Sequence, residues 1–599
     1  MKLTIFRADY KMSDKTKVTL LSVFLVLVSF GVYFRVLTND FVWDDMYQIV
    51  DNPWITDAKY LPEIFSKDVW GFDPTRGRPS NYYRPLMYVV YMGIYRISGL
   101  NPWGYHLASL SFHSGVTVVV FLTLLKLLRV FRPSNGLFAL SAAFAGAMIF
   151  AAHPAHTEAV AWIAALPDLM YSFFFLSSFY FYLTGTGELR KRYFISLGSF
   201  FLATLCKEPA VTLPALLIAY DHVSGNAPKG LKGYLGRYVP FLLVIGGYLV
   251  LRMHALTGFA HLRAQTDLGI YGDILASFPL FAEYLRELFF PVNLRFWHPY
   301  IPPTSYADFK EMISIGVVAV FFLLSVIAAK RARLIFLGAL FFLVPLLPAL
   351  YIRAFGATVF GDRYLYLPLF GYVVVLAQFF LWIKGNLRRG APVLVFTVVV
   401  LMGLYSAAAV SQCGAWKNNY TFFEDNRKKS PSFWETAFAN AVSSGAKLLE
   451  AGQLEGAIEA FRYALALDPG YVDAYNKLGI AYARKGLMNR AIEEFRQAIA
   501  LKPAQADAHN NLANAFLAEG LPDQAIEEYL RALQINPDSA ESHYNLALAY
   551  KEKGSLDDAI THLEAAARLN PGYPLSNNVS VELEKLRNLK RAMKRAGPG

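Results

Sequence analysis

Several motifs and residue types that define common protein classes are rare or missing in this chain. It contains only two cysteines among 599 residues, so a disulfide framework is not indicated. No GxxxxGK[ST] phosphate-binding loop and no GxSxG nucleophile motif occurs. These absences argue against a nucleotide-hydrolysing enzyme of the P-loop type, a serine hydrolase of the elbow type and a disulfide-stapled secreted domain.

Long apolar runs are abundant, and they end before the last third of the chain. Leu, Val, Phe, Ala and Tyr dominate from residue 18 to about residue 412, whereas Ala, Glu, Leu, Lys and Asn prevail from about residue 435. An apolar run of about 18 residues can cross a hydrocarbon core, and in lipid it has to be helical because no water is present to bond the backbone. We therefore predict an all-α protein with about eleven membrane spans followed by a soluble region. The predicted spans are residues 18–37, 104–125, 136–152, 166–184, 193–206, 208–222, 238–256, 311–329, 334–351, 366–383 and 391–412.

Basic residues recur in every second predicted loop. A formal net charge of +12 would suit nucleic acid, but much of the excess lies in short loops, where Lys and Arg fix orientation, so no nucleic-acid partner is expected. Alternate loops place 20 basic residues on one side of the membrane. We predict a cytoplasmic N-terminus at residues 1–17, an uncleaved first span and an extracytoplasmic C-terminal region. The basic residues are Lys2, Arg7, Lys11, Lys15, Lys17, Lys126, Arg129, Arg132, Arg190, Lys191, Arg192, Lys229, Lys232, Arg237, Lys330, Arg331, Arg333, Lys384, Arg388 and Arg389.

The C-terminal region repeats with a period of 34 residues. Small, large apolar and proline positions recur in register, which is the tetratricopeptide pattern of two antiparallel helices packed through small residues, with proline ending the second. We predict a linker at 413–434, four repeats at 435–573, and a basic capping helix with its tail at 574–599. The columns are Ala457, Ala491, Ala525 and Ala559; Phe461, Phe495, Tyr529 and Leu563; and Pro469, Pro503, Pro537 and Pro571.

Asparagines recur on the predicted first helices of the repeats, at Asn476, Asn510, Asn511 and Asn545. They could bond neighbouring helices, or they could bind the backbone of an extended peptide in the concave groove of a solenoid. The repeats predict a binding module and give no indication of catalysis.

The predicted orientation places several ionisable residues on the outer side, in loop 38–83 and segment 257–310 among others. Asp44 and Asp45 are adjacent carboxylates just beyond the first span. One could accept a proton from an acceptor hydroxyl while the other holds a hydrogen bond or a cation, or the pair could simply cap a helix in an interfacial loop. Arg84 suits a phosphate, and it equally suits a side chain that reaches the interface from the lipid.

Two further clusters lie between predicted spans. His153, His156 and Glu158 share one short link, where His156 and Glu158 could bind a metal. A third ligand at helical spacing is missing, so positioning or substrate binding is favoured over a metal. Lys207 and Glu208 lie between two apolar helices, where they could form an ion pair or Lys207 could contact a phosphate. Glu208, like His153, His156 and Glu158, is expected to position the substrate.

A last motif, GDRYLYLP from Gly361, places Arg363 just before a span. A site on the outer face meets neither ATP nor a nucleotide sugar. Any activated donor must therefore be carried in the membrane.

Six motifs in a fixed order resemble a known family: FVWDD, IVDN, YYRPL, HPAHTEAVAW, CKEPAVTLP and DRYLYLP, followed by tetratricopeptide repeats. Nearly the whole chain resembles the transmembrane-and-tetratricopeptide O-mannosyltransferases of the GT-C class. The resemblance implies a GT-C-like domain over 18–412 that transfers a sugar, commonly mannose, with inversion from a polyprenyl-phosphate donor to a hydroxyl. Because the chain has fewer repeats than animal members, we expect a prokaryotic relative in the cytoplasmic membrane.

The resemblance also implies roles for individual residues. An aspartate of the first outer loop acts as the base, and the match places this role on Asp44 or Asp45, with Asp44 favoured. Arg84, Lys207 and Arg363 would stabilise the leaving lipid phosphate. No metal or other cofactor is needed for such a leaving group.

We therefore expect a membrane glycosyltransferase that acts on Ser or Thr of exported proteins held by the repeats. One alternative is transfer to a lipid or glycan, against which the repeats argue because solenoid grooves suit peptides. Another is a non-catalytic membrane scaffold, which would not need the ionisable residues clustered on the outer face.

Overall fold

Every regular element in the described part of the chain is helical. The computed structural model describes residues 13–73, 80–133, 136–185, 190–256, 269–294, 309–350, 361–386, 390–569 and 576–596. Parts of the predicted N-terminus, first loop, outer segment, last repeat and tail lie outside these residues. The chain divides into a membrane unit, which ends at Lys429, and a repeat unit, which begins at Ser430.

The membrane unit contains sixteen α-helices in the described residues, besides short 3-10 and π turns. They are α1 Asp14–Tyr33, α2 Leu61–Ser66, α3 Pro85–Ser98, α4 Pro102–Phe131, α5 Gly136–Ala152, α6 Thr157–Ala161, α7 Leu166–Thr184, α8 Arg190–Cys206, α9 Leu213–Ser224, α10 Gly230–Leu256, α11 Gly269–Phe289, α12 Phe309–Arg331, α13 Arg333–Leu350, α14 Leu369–Asn386, α15 Gly390–Cys413 and α16 Asn419–Lys429. Helices α4, α5, α7 and α14 form the centre of the unit, whereas α10, α12 and α15 expose long apolar faces of the kind that lipid covers.

Seven helices in the described residues are long and apolar enough to cross a membrane, and a pair bent by 52° would make an eighth. The seven are Asp14–Thr38, Pro102–Phe131, Ile163–Thr184, Gly230–Leu256, Glu311–Arg331, Arg333–Leu350 and Ala391–Cys413, and the bent pair is Phe138–Ala152 with Pro154–Ala161. The prediction of an all-α membrane protein with tetratricopeptide repeats is confirmed. The predicted number of eleven membrane spans is not confirmed.

The difference between the eleven predicted spans and the eight candidate spans of the structure arises at three short segments. Helices α8 and α9 contain only 17 and 12 residues, because Lys207, Glu208 and Pro209 end one helix and begin a 3-10 turn before the other. The predicted span 366–383 falls on the shorter apolar helix Leu369–Ile383.

The repeat unit consists of successive helix pairs closed by one further helix. The small residues of the alanine column and the large apolar residues of the next column are all buried. Glycines with φ between 71° and 86° follow the first helix of each pair, a column that the alanine and proline register did not include: Gly452, Gly486, Gly520 and Gly554. The helices are α17 Pro431–Glu450, α18 Leu454–Leu467, α19 Val472–Arg484, α20 Met488–Leu501, α21 Ala506–Ala518, α22 Pro522–Ile535, α23 Ala540–Lys553, α24 Leu556–Leu569 and α25 Ser576–Ala596.

Candidate functional site

A cavity of about 260 Å³ in the membrane unit combines cationic side chains with an apolar wall. Its cations are Arg84, Lys207, Arg252 and Arg363. The apolar wall of the cavity contains Pro345, Pro348, Ala349, Leu367 and Pro368. Three tyrosines also line the cavity, Tyr82, Tyr171 and Tyr364. The three cations predicted from separate motifs are therefore brought to one place by the fold.

Arg84 directly precedes α3 and is held by Glu208. Its Nη2 donates to Glu208 Oε2 at 3.0 Å and its Nε donates to the same oxygen at 3.3 Å. The backbone N–H of Tyr83 donates to Glu208 Oε1 at 3.3 Å, and the guanidinium lies 4.5 Å from the ring centre of Tyr82. Glu208, predicted to position substrate, fixes the direction in which Arg84 points.

Lys207 pairs with Asp168 of α7 rather than with its neighbour Glu208. Its Nζ bonds Asp168 Oδ1, and both side chains are almost fully buried. The backbone of Lys207 is extended, with φ −159° and ψ 142°, so the side chains of Lys207 and Glu208 point in different directions. Burial lowers the pKa of Lys207 to about 8, with Asp168 opposing the shift and the charges of Arg84 and Arg363 adding to it.

Arg363 is held in the same manner by Glu158. Its Nη1 bonds Glu158 Oε1, and its backbone N–H donates to Glu158 Oε2 at 3.1 Å. The guanidinium lies 5.1 Å from the ring of Trp162 and 4.8 Å from that of Tyr364. Glu158 is buried, so the two side chains form a desolvated pair.

Arg252, near the end of α10, is the fourth cation of the cavity. Its Nη2 donates to the backbone oxygen of Asn81 at 2.9 Å. Its Nε is buried and meets no hydrogen-bond partner within the described residues. Glu208 is near enough to feel the charge of Arg252, but it is already bonded to Arg84.

The loop that follows α1 changes direction at Trp43, whose φ is 57°. A bulky residue adopts this left-handed conformation only when its surroundings hold it there. The backbone N–H of Trp43 donates to Asn419 Oδ1 at 2.8 Å, and its ring packs 5.7 Å from those of Phe422 and Phe423. This backbone bend directly precedes the two predicted catalytic aspartates.

The two aspartates have different surroundings. Asp45 is buried; its Oδ2 accepts the N–H of Val42 at 2.9 Å and its Oδ1 accepts the N–H of Ala164 at 2.7 Å. Burial raises the pKa of Asp45 to about 8, although these backbone donors lower it. Asp44 is partly exposed. The hydrogen bond from Ala164 to Asp45 holds the loop against the turn before α7. Neither aspartate is among the residues that line the cavity.

The two predicted histidines pack inside the membrane unit, away from the cavity lining. His153 Nε2 donates to the carbonyl oxygen of Leu288 at 3.2 Å. His156 lies 4.4 Å from the rings of both Phe150 and Tyr366, and its ring nitrogens meet no hydrogen-bond partner among the residues described. Among those residues, no group of three or more His, Cys, Asp or Glu side chains could hold a metal ion.

In the repeat unit, asparagines bond between successive first helices. Asn511 Nδ2 donates to Asn476 Oδ1 at 2.9 Å, and Asn510 Oδ1 accepts the hydroxyl of Ser542 at 3.2 Å. Asn545 is partly exposed. Of the two interpretations left open by the sequence, helix-to-helix bonding accounts for the contacts of Asn476, Asn510 and Asn511.

The sequence-based interpretation missed Asp168 and Arg252. Asp168 lies in an otherwise apolar helix, and an ionisable residue in such a position is costly unless it has a partner or a function. That signal was available in the sequence. Arg252 follows a long apolar run, where the same residue type commonly reaches the membrane interface without binding anything.

Comparison with known families identifies the repeats. The family described as TPR repeat matches residues 445–486, 488–520 and 523–554, and the family described as Tetratricopeptide repeat matches residues 540–573. These matches fall on α17 to α24.

Comparison with curated proteins covers both units. Protein O-mannosyl-transferase TMTC1 of Homo sapiens is 27% identical in an alignment 499 residues long that covers 75% of this chain and 55% of that protein. Protein O-mannosyl-transferase F38B6.6 of Caenorhabditis elegans is 26% identical over 460 residues, with 75% and 63% covered. Protein O-mannosyl-transferase TMTC3 of Mus musculus is 32% identical over 201 residues, with 33% and 21% covered. The chain thus spans less than two thirds of the length of these relatives. The resemblance to the O-mannosyltransferases, which was inferred from the ordered motifs, is confirmed by these matches.

Proposed function

Because the chain is a tetratricopeptide-repeat relative of the protein O-mannosyl-transferases, we propose that it is a membrane glycosyltransferase. It transfers a sugar, most simply mannose, from a polyprenyl-phosphate donor to Ser or Thr hydroxyls of exported proteins. The observation that carries the proposal is the cavity of the membrane unit, where four cations face an apolar wall.

This combination of surfaces fits a lipid-linked phosphate. The prolines and aliphatic side chains at the end of α13 and just before α14 offer contacts to prenyl carbons, and the cations attract the phosphate. When the bond between the sugar and the phosphate breaks, negative charge grows on the phosphate oxygens. Fixed cations in a water-poor cavity stabilise that charge more strongly than water does.

Asp44 acts as the general base in this reaction. The acceptor oxygen attacks the anomeric carbon and its proton passes to the Asp44 carboxylate, while the anomeric carbon–oxygen bond breaks and its electron pair leaves with the polyprenyl phosphate. Asp45 is unsuited to the role because both of its carboxylate oxygens accept backbone N–H groups. The left-handed bend at Trp43 supports the assignment, since such strain concentrates at functional sites.

The reaction takes place on the extracytoplasmic side, in the cytoplasmic membrane of a prokaryote. The eleven proposed crossings are the seven long apolar helices, the bent pair, the helix Leu369–Ile383 and the two short helices α8 and α9. This count keeps every basic loop in the cytoplasm. The first outer loop, the cavity and the repeats then open to one compartment, where the repeats hold the polypeptide acceptor.

Incubation of the purified full chain with polyprenyl-phosphate mannose and Ser/Thr-containing secreted polypeptides tests the proposal. Mass spectrometry should find hexose on the polypeptide, and Asp44→Asn should reduce the rate by about 10² or more while melting as the wild type does. The matched control is Asp57→Asn in the same loop, because Asp57 is exposed and an amide can still accept the N–H of Lys59.

Three outcomes would contradict parts of the proposal. Equal rates for Asp44→Asn and the wild type would refute the assignment of the base. Hexose found on a lipid or glycan but never on a polypeptide would refute the acceptor. Absence of transfer from every lipid-linked sugar tried would favour a scaffold that uses its repeats for protein binding.

A further inference from the structure

The charges around the cavity are unequally compensated. Three of its four cations each bond a carboxylate, so each of these pairs is formally neutral. The pairs are Arg84 with Glu208, Lys207 with Asp168, and Arg363 with Glu158. A phosphate that approached one of these cations would also approach the carboxylate that holds it, and the repulsion would offset much of the attraction.

Arg252 differs from the other three in its partners. A guanidinium carries five N–H groups, and one of the two on Nη2 donates to the backbone oxygen of Asn81. The Nε–H is buried without a partner in the described part of the chain. A buried donor without an acceptor is costly and uncommon in folded proteins, and an absent ligand is one of its ordinary causes.

We propose that Arg252 is the residue that binds the phosphate of the lipid-linked donor, and that the three paired cations shape the cavity around it. The single formal charge of Arg252 matches the single negative charge of a phosphodiester between a prenyl chain and a sugar. The identity of the lipid rests on the proposed function, whereas phosphate binding by Arg252 rests on the charges and contacts alone.

The position of Arg252 on α10 also suits a ligand that enters from the bilayer. Its neighbours Leu249, Val250 and Met253 expose apolar surface on the outside of the membrane unit. A prenyl chain lying along this face of α10 would end near the guanidinium. The headgroup would then meet Arg252 as it enters the cavity.

Binding of sugar-free polyprenyl phosphate to the full chain in nanodiscs tests the inference without any transfer reaction. The uncharged polyprenol of the same length measures the contribution of the lipid. Arg252→Gln should weaken polyprenyl phosphate binding by about 10- to 100-fold, as expected for a lost charge-assisted hydrogen bond, and leave polyprenol binding unchanged. Arg252→Lys should recover part of the loss, since it restores the charge but not the fork of donors.

The matched control is Arg96→Gln, which removes the same charge from an exposed arginine of α3 that does not line the cavity. It should bind polyprenyl phosphate as the wild type does. The inference is overturned if Arg252→Gln keeps the wild-type preference for the phosphate over the alcohol, or if it loses both ligands equally.

Inorganic phosphate distinguishes the two sources of such an anion. At concentrations that match the lipid, it should fail to displace polyprenyl phosphate. Displacement by inorganic phosphate alone would overturn the assignment of a lipid headgroup. Failure of the proposed function would look different, because Arg252-dependent binding would then persist in a protein that transfers no sugar.

Discussion

The ion pair between Lys207 and Asp168 provides a quantitative test of the cavity. Its two side chains are only 5% and 7% exposed, so the amine and the carboxylate have both lost most of their water. Asp168→Asn keeps the shape of the side chain but leaves the amine without its counter-charge. Removal of one partner from a buried pair costs about 3–5 kcal/mol of unfolding free energy.

The amine can escape part of this cost by losing its proton, which makes the effect dependent on pH. Burial already lowers the pKa of Lys207 to about 8 with Asp168 in place, so the variant has a still lower pKa in its folded state. Between the folded and unfolded pKa values, the unfolded chain carries a proton that the folded chain lacks. Stability therefore rises by about 1.4 kcal/mol per pH unit in that window. The Asp168→Asn protein should gain stability from pH 7 upward, whereas the wild type should gain only above about pH 8.

Equilibrium unfolding in one detergent, at several pH values, measures this difference. The double variant Asp168→Asn/Lys207→Met should regain much of the loss at pH 7 and show no such recovery with pH. The exposed pair of Lys59 and Asp57 is the control, and Asp57→Asn should leave the unfolding free energy close to that of the wild type because water screens the exposed charges. If Asp168→Asn loses less than about 1 kcal/mol and follows the pH profile of the wild type, the pair is not desolvated and the reasoning fails.

Two further predictions concern the loop and the repeats. An amide at position 45 offers one acceptor oxygen to two backbone donors, the N–H groups of Val42 and Ala164. Asp45→Asn should therefore lower the unfolding free energy by about 1–3 kcal/mol. An unchanged melting curve would contradict the role of Asp45 in holding the loop. A Cβ on Gly479 would lie 2.5 Å from the ring of Phe495, so Gly479→Ala should cost about 1–3 kcal/mol by overpacking. Adding Phe495→Leu, which copies the last repeat, should recover most of that loss in thermal unfolding; additive losses would contradict the packing.

The repeat unit could be predicted closely because its period is short and its packing is local. Each helix contacts its sequence neighbours, so the register of small and large residues in the sequence is also the register of the core. Membrane crossings are harder to count from apolar composition. Hydropathy does not reveal that Pro209 and the charges beside it leave α8 and α9 too short to meet the usual length.

The candidate site could be predicted only in part, and for a related reason. Arg84, Lys207 and Arg363 stand out because each flanks an apolar run. Their carboxylate partners are distant in the chain, and only the fold brings Asp168 beside Lys207. Which of the four cations bonds no carboxylate in the described part of the chain is a property of the assembled cavity, so no motif in the sequence could single out Arg252.

Transfer from a membrane-carried donor to a polypeptide held by the repeats requires that the first outer loop and the repeats open to the same compartment. Both native cysteines, Cys206 and Cys413, are buried, so a membrane-impermeant maleimide will report cysteines introduced at exposed positions. Asp57→Cys in the loop and Asp538→Cys in the repeats should both react in intact, right-side-out membranes, and Lys330→Cys should react only after permeabilisation. Labelling of Asp57→Cys and Asp538→Cys from opposite sides would contradict the proposed mechanism.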